Sequence, residues 1–350
     1  MRSNHSAPGA SGRASRLIEL LDSFPARRIA VIGDLIADEF IYGRVARVSR
    51  EAPVLILQYD STQMLPGGAG NAANNVAALG GRAQIVGLTG KDDAGRRLHA
   101  SLAHINTRGL LSPQGYCTPV KTRILAGGVH TAKQQIVRID RVVSCEYGAK
   151  SRTAFARAAL KAAGECDAVL LSDYGTGLVT PELAAALAGK GAARARRRLP
   201  ILIDSRYDLL KYRGLTACTP NESEVEHLLH TRIGDNPKTL ERAGRDLLKR
   251  TQMSAVLITR GSRGMALFEP DRPTTHIPIH GSDEVADVTG AGDTVIAVMA
   301  LAIAAGGSFA DAARLANYAG GLVVMKRGTA TVSPDELRDA VRTHQAANSE

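Results

Sequence analysis

The chain has 350 residues, 44% of them hydrophobic and 22% charged, enough to build a large core and too apolar for a wholly disordered polymer. Its longest unbroken apolar stretch, residues 295–305, falls short of the ~20 residues needed to cross a bilayer, and the basic first residues lack the apolar core of a secretory signal. Forty-four Lys and Arg against 34 Asp and Glu leave a net charge of +10, which suits an anionic small substrate.

Without Trp, and with five Phe and eight Tyr, the chain offers few rings for base stacking, so neither nucleic acid nor a membrane is expected as a partner. Cys117, Cys145, Cys166 and Cys218 form no CxxC pair and suggest neither a metal knuckle nor a disulfide framework. A cytoplasmic protein is expected.

Residues 1–15 are small, polar and basic and read as a disordered tail ahead of one folded domain, 16–345. Strand candidates then fall at 29–32, 83–88, 168–171, 201–203 and 255–258. Helix candidates lie around 70–80, 93–105, 151–164, 181–190 and 236–250. Alternation of near-continuous apolar strands with helices is the pattern of a parallel sheet covered on both faces. Segments 38–64 and 116–140 break the rhythm, being rich in β-branched and charged residues with no room for a crossover helix. They read as a small antiparallel lid, with a hairpin turning at Gly127-Gly128. From Thr294 onwards the chain reads as nearly all helical.

The sharpest motif is Asp287-Val-Thr-Gly290-Ala-Gly292-Asp293-Thr294, which runs straight into the apolar stretch. The glycines allow a tight turn, and the free amides of the following helix would make an anion hole. The helix dipole would keep Asp293 ionised there. An acid beside an anion hole makes chemical sense if it takes a proton while the amides hold a migrating phosphoryl group. The plainer alternative is Asp293 as a helix cap.

Pro66-Gly67-Gly68-Ala69-Gly70-Asn71 also precedes a helix, and Asn71 could bind sugar hydroxyls or merely cap that helix. Asp34 and Asp173 end apolar strands, where they could anchor a sugar or form turns. Asn221-Glu222-Ser223-Glu224 is formally a capping box, with oxygens that would also suit a hard cation. Thr259-Arg-Gly261-Ser-Arg-Gly264 joins two strands and could bring backbone close to a nucleotide. Gly90-Lys91-Asp92 lacks the rest of a P-loop, and Gly33 begins no GxGxxG. His276 and His280 read as ordinary surface residues.

Together, Gly67-Gly68…Asn71, Asn221…Glu224 and the Thr-Gly-Ala-Gly-Asp loop resemble the motifs of the ribokinase-like carbohydrate kinases, in their order, over about residues 28–335. Gly43-Arg44-Val-Ala-Arg47-Val-Ser-Arg50-Glu51-Ala-Pro53 and Ser172-Asp173-Tyr174-Gly-Thr-Gly177 are similar to the branch acting on D-glycero-β-D-manno-heptose 7-phosphate at O1, in the ADP-heptose route. That branch is often fused to a nucleotidyltransferase carrying HxGH. No HxGH occurs here, so the chain resembles the stand-alone form. Arg50 departs from the proline of the related pattern.

The resemblance implies a three-layer α/β/α sandwich with a β lid, ATP as cosubstrate, Mg²⁺ and a potassium ion. The outward face of the lid needs cover, so a homodimer through the lid is expected. Asp293 would be the base, with Gly290, Ala291 and Gly292 as the anion hole. Asp34, Gly67, Gly68, Asn71 and Asp173 would hold the sugar. Asn221, Glu222, Ser223 and Glu224 would serve the triphosphate, with Asn221 and Glu224 positioning Mg²⁺ through water. Thr259, Gly261 and Asn317 would line the nucleotide site, and Asp287 a monovalent-cation site. Arg47, Arg50, Lys121, Arg123, Lys133 and Arg138 are candidates for the substrate's own phosphate, the alternative being a solvated lid face. Another acceptor, or a non-catalytic sensor of nucleotide or sugar, would use the same residues.

Overall fold

Apolar runs too continuous for a half-exposed sheet become strands with helices on both sides. The computed structural model describes residues 10–127, 133–141, 148–194, 198–281, 287–326 and 328–347. In chain order, α1 (Ala10–Asp22) precedes β1 (Arg28–Gly33), β2 (Leu35–Val48), β3 (Leu55–Gly68), α2 (Ala69–Ala78), β4 (Arg82–Leu88), α3 (Asp93–Ser101), β5 (Asn106–Leu111), β6 (Val120–Gly127) and β7 (Gln134–Arg141). Next come α4 (Ala149–Ala163), β8 (Ala168–Asp173), α5 (Pro181–Arg194), β9 (Ile201–Ser205), β10 (Ala217–Cys218), α6 (Glu222–Leu229), α7 (Pro237–Thr251) and β11 (Ala255–Thr259). The chain closes with β12 (Met265–Phe268), β13 (Thr275–Ile277), α8 (Ala291–Ala304), α9 (Phe309–Val323) and α10 (Pro334–Ala347).

The main sheet has the order β13-β12-β11-β10-β9-β8-β1-β4-β5. It is parallel from β5 to β11, and β12 and β13 add an antiparallel edge. Alternate residues of β1 separate two cores. Ile29 and Val31 pack with α2, α8 and α9, while Ala30 and Ile32 pack with α4, α5 and α7. After β5 the chain returns to the other side of β1, so the strand order reverses at β1/β8. A crevice opens there at the strand C-termini, where sheets of this kind bind ligands.

Two features aim the site. Helix α8 is apolar all round and buried from Asp293 to Ile303, as a helix wrapped by other elements should be. It packs on β8 and β9. Gly33 brings β1 against β8 closely enough that a Cβ would run into the Ser172 carbonyl. Asp34 N then donates to that same carbonyl at 3.0 Å.

The small sheet has the order β3-β2-β6-β7. Its outer pairs are antiparallel and its central β2/β6 pair is parallel. β2 begins one residue after β1, so the lid grows directly out of the main sheet. Its inner end is buried at Leu35, Ile36, Ala37 and Phe40. Its outer end exposes Val45, Val48, Leu55 and Tyr59, and β7 exposes Ile136, Val137 and Ile139. The turn expected at Gly127-Gly128 falls largely outside the described residues, although β6 and β7 do pair antiparallel.

One boundary needs correcting. The tail expected through residue 15 is already helical from Ala10, because Ala14 and Leu17 fall on one helix face and bury themselves, at 5% and 2% exposure. Gly33→Ala should cost about 2–4 kcal/mol, since β1 and β8 must separate to admit a methyl group. Urea unfolding checks this.

Candidate active site

The helix start at Gly290 fixes the centre of the site. Gly290 adopts φ 79° as the residue preceding α8. A Cβ there would collide with the amide of Asn71. The first-turn amides of a helix have no carbonyl within it to accept them. Ala291 N turns back to Val288 O at 3.3 Å, and Gly290, Ala291 and Gly292 all line a cavity of about 500 Å³.

Asp293 lines the same cavity at 4% exposure. Its carboxylate does not cap α8. Asn71 Nδ2 donates to Asp293 Oδ2 at 2.8 Å, and the Tyr174 hydroxyl donates to Oδ1 at 3.2 Å. Burial pushes the acid up to about 7, with Asp38 adding to the effect and the Asn71 and Tyr174 donors opposing it. This corrects the expectation that the helix dipole keeps Asp293 ionised: desolvation outweighs it. Near neutrality the group can both take and release a proton.

The acid's two partners are themselves held. Asn71 is fully buried, and its Oδ1 accepts from Asn75 Nδ2 at 3.1 Å. Asn75 Oδ1 accepts from Thr294 Oγ1 at 2.9 Å, which ties α2 to α8. Neither Asn71 nor any other side chain caps α2, whose preceding residue is Gly68. Tyr174 is positioned by Asp34, whose Oδ2 accepts from Tyr174 N at 2.7 Å and whose Oδ1 accepts from the Thr176 hydroxyl. Burial raises Asp34 to about 6 despite these donors.

The cavity gathers both signs of charge. Lys121, Arg123, Arg138 and Arg206 line it together with Asp38, Asp204, Glu224 and Asp293. Arg123 is bound to Asp38. Lys121 lies 4.8 Å from the centre of the Tyr174 ring. Its ammonium is pulled below the ordinary lysine value, first by burial and then by Arg206. Asp204 is pushed far up by burial and by the neighbouring Asp293 and Glu224. Burial also raises Glu224.

The other expected residues divide sharply. Asn221, Glu224, Thr259, Gly261, Asn317 and Gly68 line the cavity, as does Arg138, which also pairs with Asp140 at 2.9 Å. Asn221 and Glu224 complete the capping box in both directions, which engages one Glu224 oxygen, Oε2. Gly67 sits against Asp38. Asp173 turns away to accept from Ser205 Oγ at 2.7 Å and the Tyr212 hydroxyl at 2.8 Å. Glu222 is committed to Arg260 and Arg263, at 2.7 and 2.5 Å, and Ser223 is exposed.

Lys133 reaches Asp60 at 2.6 Å rather than the cavity, and Arg47 and Arg50 stand exposed at the end of the lid hairpin. Asp287 accepts from Thr289 N in its own loop at 2.9 Å and from Gly328 N, beyond α9, at 3.0 Å. His280 is half-buried in a ring cluster with Tyr318 and His344, not on the surface as expected, because helices α9 and α10 close over it.

Sequence reasoning missed Asp38, Tyr174, Asp204 and Arg206. Asp204 and Arg206 stand at the end of β9, the position that singled out Asp34 and Asp173. The same rule would have found them.

For a divalent cation, no group of three or more protein ligands gathers among the described residues. Asp204 and Glu224 instead present two half-buried, mutually repelling carboxylates to the cavity. That arrangement suits Mg²⁺ carried mainly by water and phosphate oxygens.

Comparison with known proteins agrees with this geometry. The description "pfkB family carbohydrate kinase" matches residues 26–336, and the chain belongs to that family. A bifunctional protein HldE of Desulfatibacillum aliphaticivorans is 41% identical over 320 residues, covering 90% of this chain and 63% of that protein. The HldE of Geobacter sulfurreducens is 42% identical over 310 residues, covering 88% of this chain and 61% of its own length. The chain thus spans about three-fifths of these relatives. Arabidopsis thaliana ribokinase, solved with ribose and ATP, shares the fold at TM-score 0.69 and 20% identity, covering 91% of this chain and 98% of its own.

Because Asn71 holds down the proton affinity of Asp293, Asn71→Ala should move the acidic limb of the pH profile of kcat/KM to higher pH. Asp38→Asn should move it lower, since Asp38 acts in the opposite sense. Profiles measured from pH 5 to 9 check both.

Proposed function

We propose that the protein transfers the γ-phosphoryl group of ATP to O1 of D-glycero-β-D-manno-heptose 7-phosphate, giving the 1,7-bisphosphate for ADP-heptose and lipopolysaccharide core synthesis. The observation that carries the reading is Asp293: a buried acid of near-neutral pKa, pinned by Asn71 and Tyr174, at the mouth of the α8 amides. Lys121, Arg138 and Arg206 in the same cavity favour an acceptor that already bears a phosphate. Its likeness to the HldE proteins, over the part of their length that it spans, supports heptose.

In this mechanism the sugar lies between Asp293 and the lid, and ATP extends from Asp293 towards Thr259, Gly261 and Asn317. Asp293 in its carboxylate form accepts the O1 proton as the O1–Pγ bond forms and the bond from Pγ to the β,γ-bridging oxygen of ATP breaks. The amides of the α8 start receive the developing charge on the transferred oxygens. The transition state needs little covalent work from the protein, so position and charge dominate. Mg²⁺, when bound with ATP, neutralises phosphate charge, and Asp204 and Glu224 are the residues that would face it. Asp34 and Asp173, whose carboxylates brace the turn after β8, shape the sugar's wall. Gly68, Asp38 and Tyr174 supply its surface.

The outward apolar residues of the lid, among them Val48, Val54 and Tyr59 at 59%, 56% and 64% exposure, need a cover, and a second copy's lid provides it. The kinase is thus proposed to act as a homodimer, and Val48→Glu with Ile139→Glu should shift sedimentation towards the monomer.

Asp293→Asn should lower turnover by roughly 10²–10⁴-fold with ATP binding nearly intact. Retained turnover removes Asp293 as base. The same change should stabilise the ligand-free protein. The native acid has a raised pKa, so the folded state binds more protons than the unfolded state between about pH 4 and 7, and stability falls as pH rises through that window. Melting at pH 8 shows whether the asparagine variant unfolds later. A coupled assay across acceptors tests the substrate: preference for an unphosphorylated sugar defeats the heptose phosphate reading.

A further inference from the structure

A second cavity, of about 260 Å³, lies among α1, β13, α9 and α10, away from the catalytic acid. Its wall carries Arg13 from α1, Arg314 from α9, and three imidazoles, His276, His280 and His344. No Asp or Glu lines it. Neither arginine forms an ion pair with a carboxylate among the described residues. The nearby Asp311 is engaged by Arg16 at 3.0 Å and by Ser308 Oγ at 2.6 Å.

Like charges are thus pressed together. Arg314 is half-buried, and burial followed by repulsion from Arg13 pulls its pKa below the ordinary arginine value. Tyr318 packs its ring edge-on against His280 at 4.8 Å and His344 at 5.5 Å, which fixes the imidazoles on one wall. Two guanidiniums and two ring-packed imidazoles, in a pocket lined by no carboxylate, make a receptor for a compact polyanion.

We infer that this cavity is a second anion site, which takes a small phosphorylated metabolite through Arg13, Arg314 and the histidine wall. It can act on the first site through Asn317, which lines both cavities. Asn317 Nδ2 donates to Pro278 O at 2.8 Å, so the segment that leaves β13 and carries His280 is tied to the proposed nucleotide end of the active site. Binding at the second cavity stands on its lining alone. Its effect on ATP rests on the kinase reading.

The probe is inorganic pyrophosphate, measured by isothermal titration calorimetry with the full chain, for wild type, Arg13→Gln/Arg314→Gln and Lys121→Gln. Lys121 belongs to the catalytic cavity, so its variant reports any pyrophosphate that binds there instead. Losing one charge-assisted contact typically weakens binding about tenfold, so the double variant should lose at least that much while Lys121→Gln keeps the site. Arg314→Lys, which restores charge, should recover part of the affinity. Loss only in Lys121→Gln, equal loss in both, or no saturable binding to wild type overturns the proposal. If the double variant does not fold, Arg13→Gln and His344→Gln singly carry the same expectation.

A kinetic arm follows. Pyrophosphate at its calorimetric Kd should change the KM for ATP in the wild-type enzyme and leave it unchanged in the double variant. An equal response in both enzymes refutes the link through Asn317, and failure of the chain to turn over any sugar would instead sink the kinase reading while the binding result stands.

Discussion

The contact between Asn71 and Asp293 is the constraint on which the rest of the site depends. It joins the start of α2, which follows the lid hairpin, to the start of α8, more than two hundred residues later. A carboxylate buried this deeply is held in place only because donors reach both of its oxygens. Gly290 must lack a side chain for the two helix starts to meet, and Asn75 and Thr294 repeat the connection one turn further on. The Asp293 carboxylate therefore takes its geometry from the packing of two helices rather than from a loop.

Charge follows from that burial. Asp34, Asp204, Glu224 and Asp293 all have pKa values raised by loss of water. Concentrating acids in this way costs stability in the empty protein, a familiar feature of functional sites. On the proposed reading, the cost would be reduced when a cation and a proton donor arrive with a metal-bound nucleotide and a hydroxyl acceptor. Lys121, stacked over Tyr174, and Arg206 balance the field from the other wall.

Much of this was legible in the sequence. The strands at 29–32, 83–88 and 168–171 could be read because fully buried parallel strands are apolar on both faces. The glycine loop ending in Asp293 announced a helix start with an acid at it. Other parts were not legible, for definite reasons. β10 has two residues, too few to leave a pattern. The first turn of α1 looks like a polar tail until Ala14 and Leu17 find α10 to pack on. Asp34 and Asp173 share one sequence signature, a carboxylate after an apolar strand, yet both spend their oxygens on neighbouring turns. The signature identifies the edge of the sheet, not the direction of the side chain. Lys133 and Arg138 lie on the same strand region, and only the register of β7 against β6 sends one to Asp60 and the other to the cavity.

A single residue, Asp34, separates the last residue of β1 from the first of β2. The main sheet and the lid therefore meet at that aspartate. Its carboxylate grips the turn that presents Tyr174 to Asp293, so one residue serves both the joint between the sheets and the hydroxyl donor to the acid. On the proposed reading, a cover swinging over a sugar would bear on the proton affinity beneath it through Asp34.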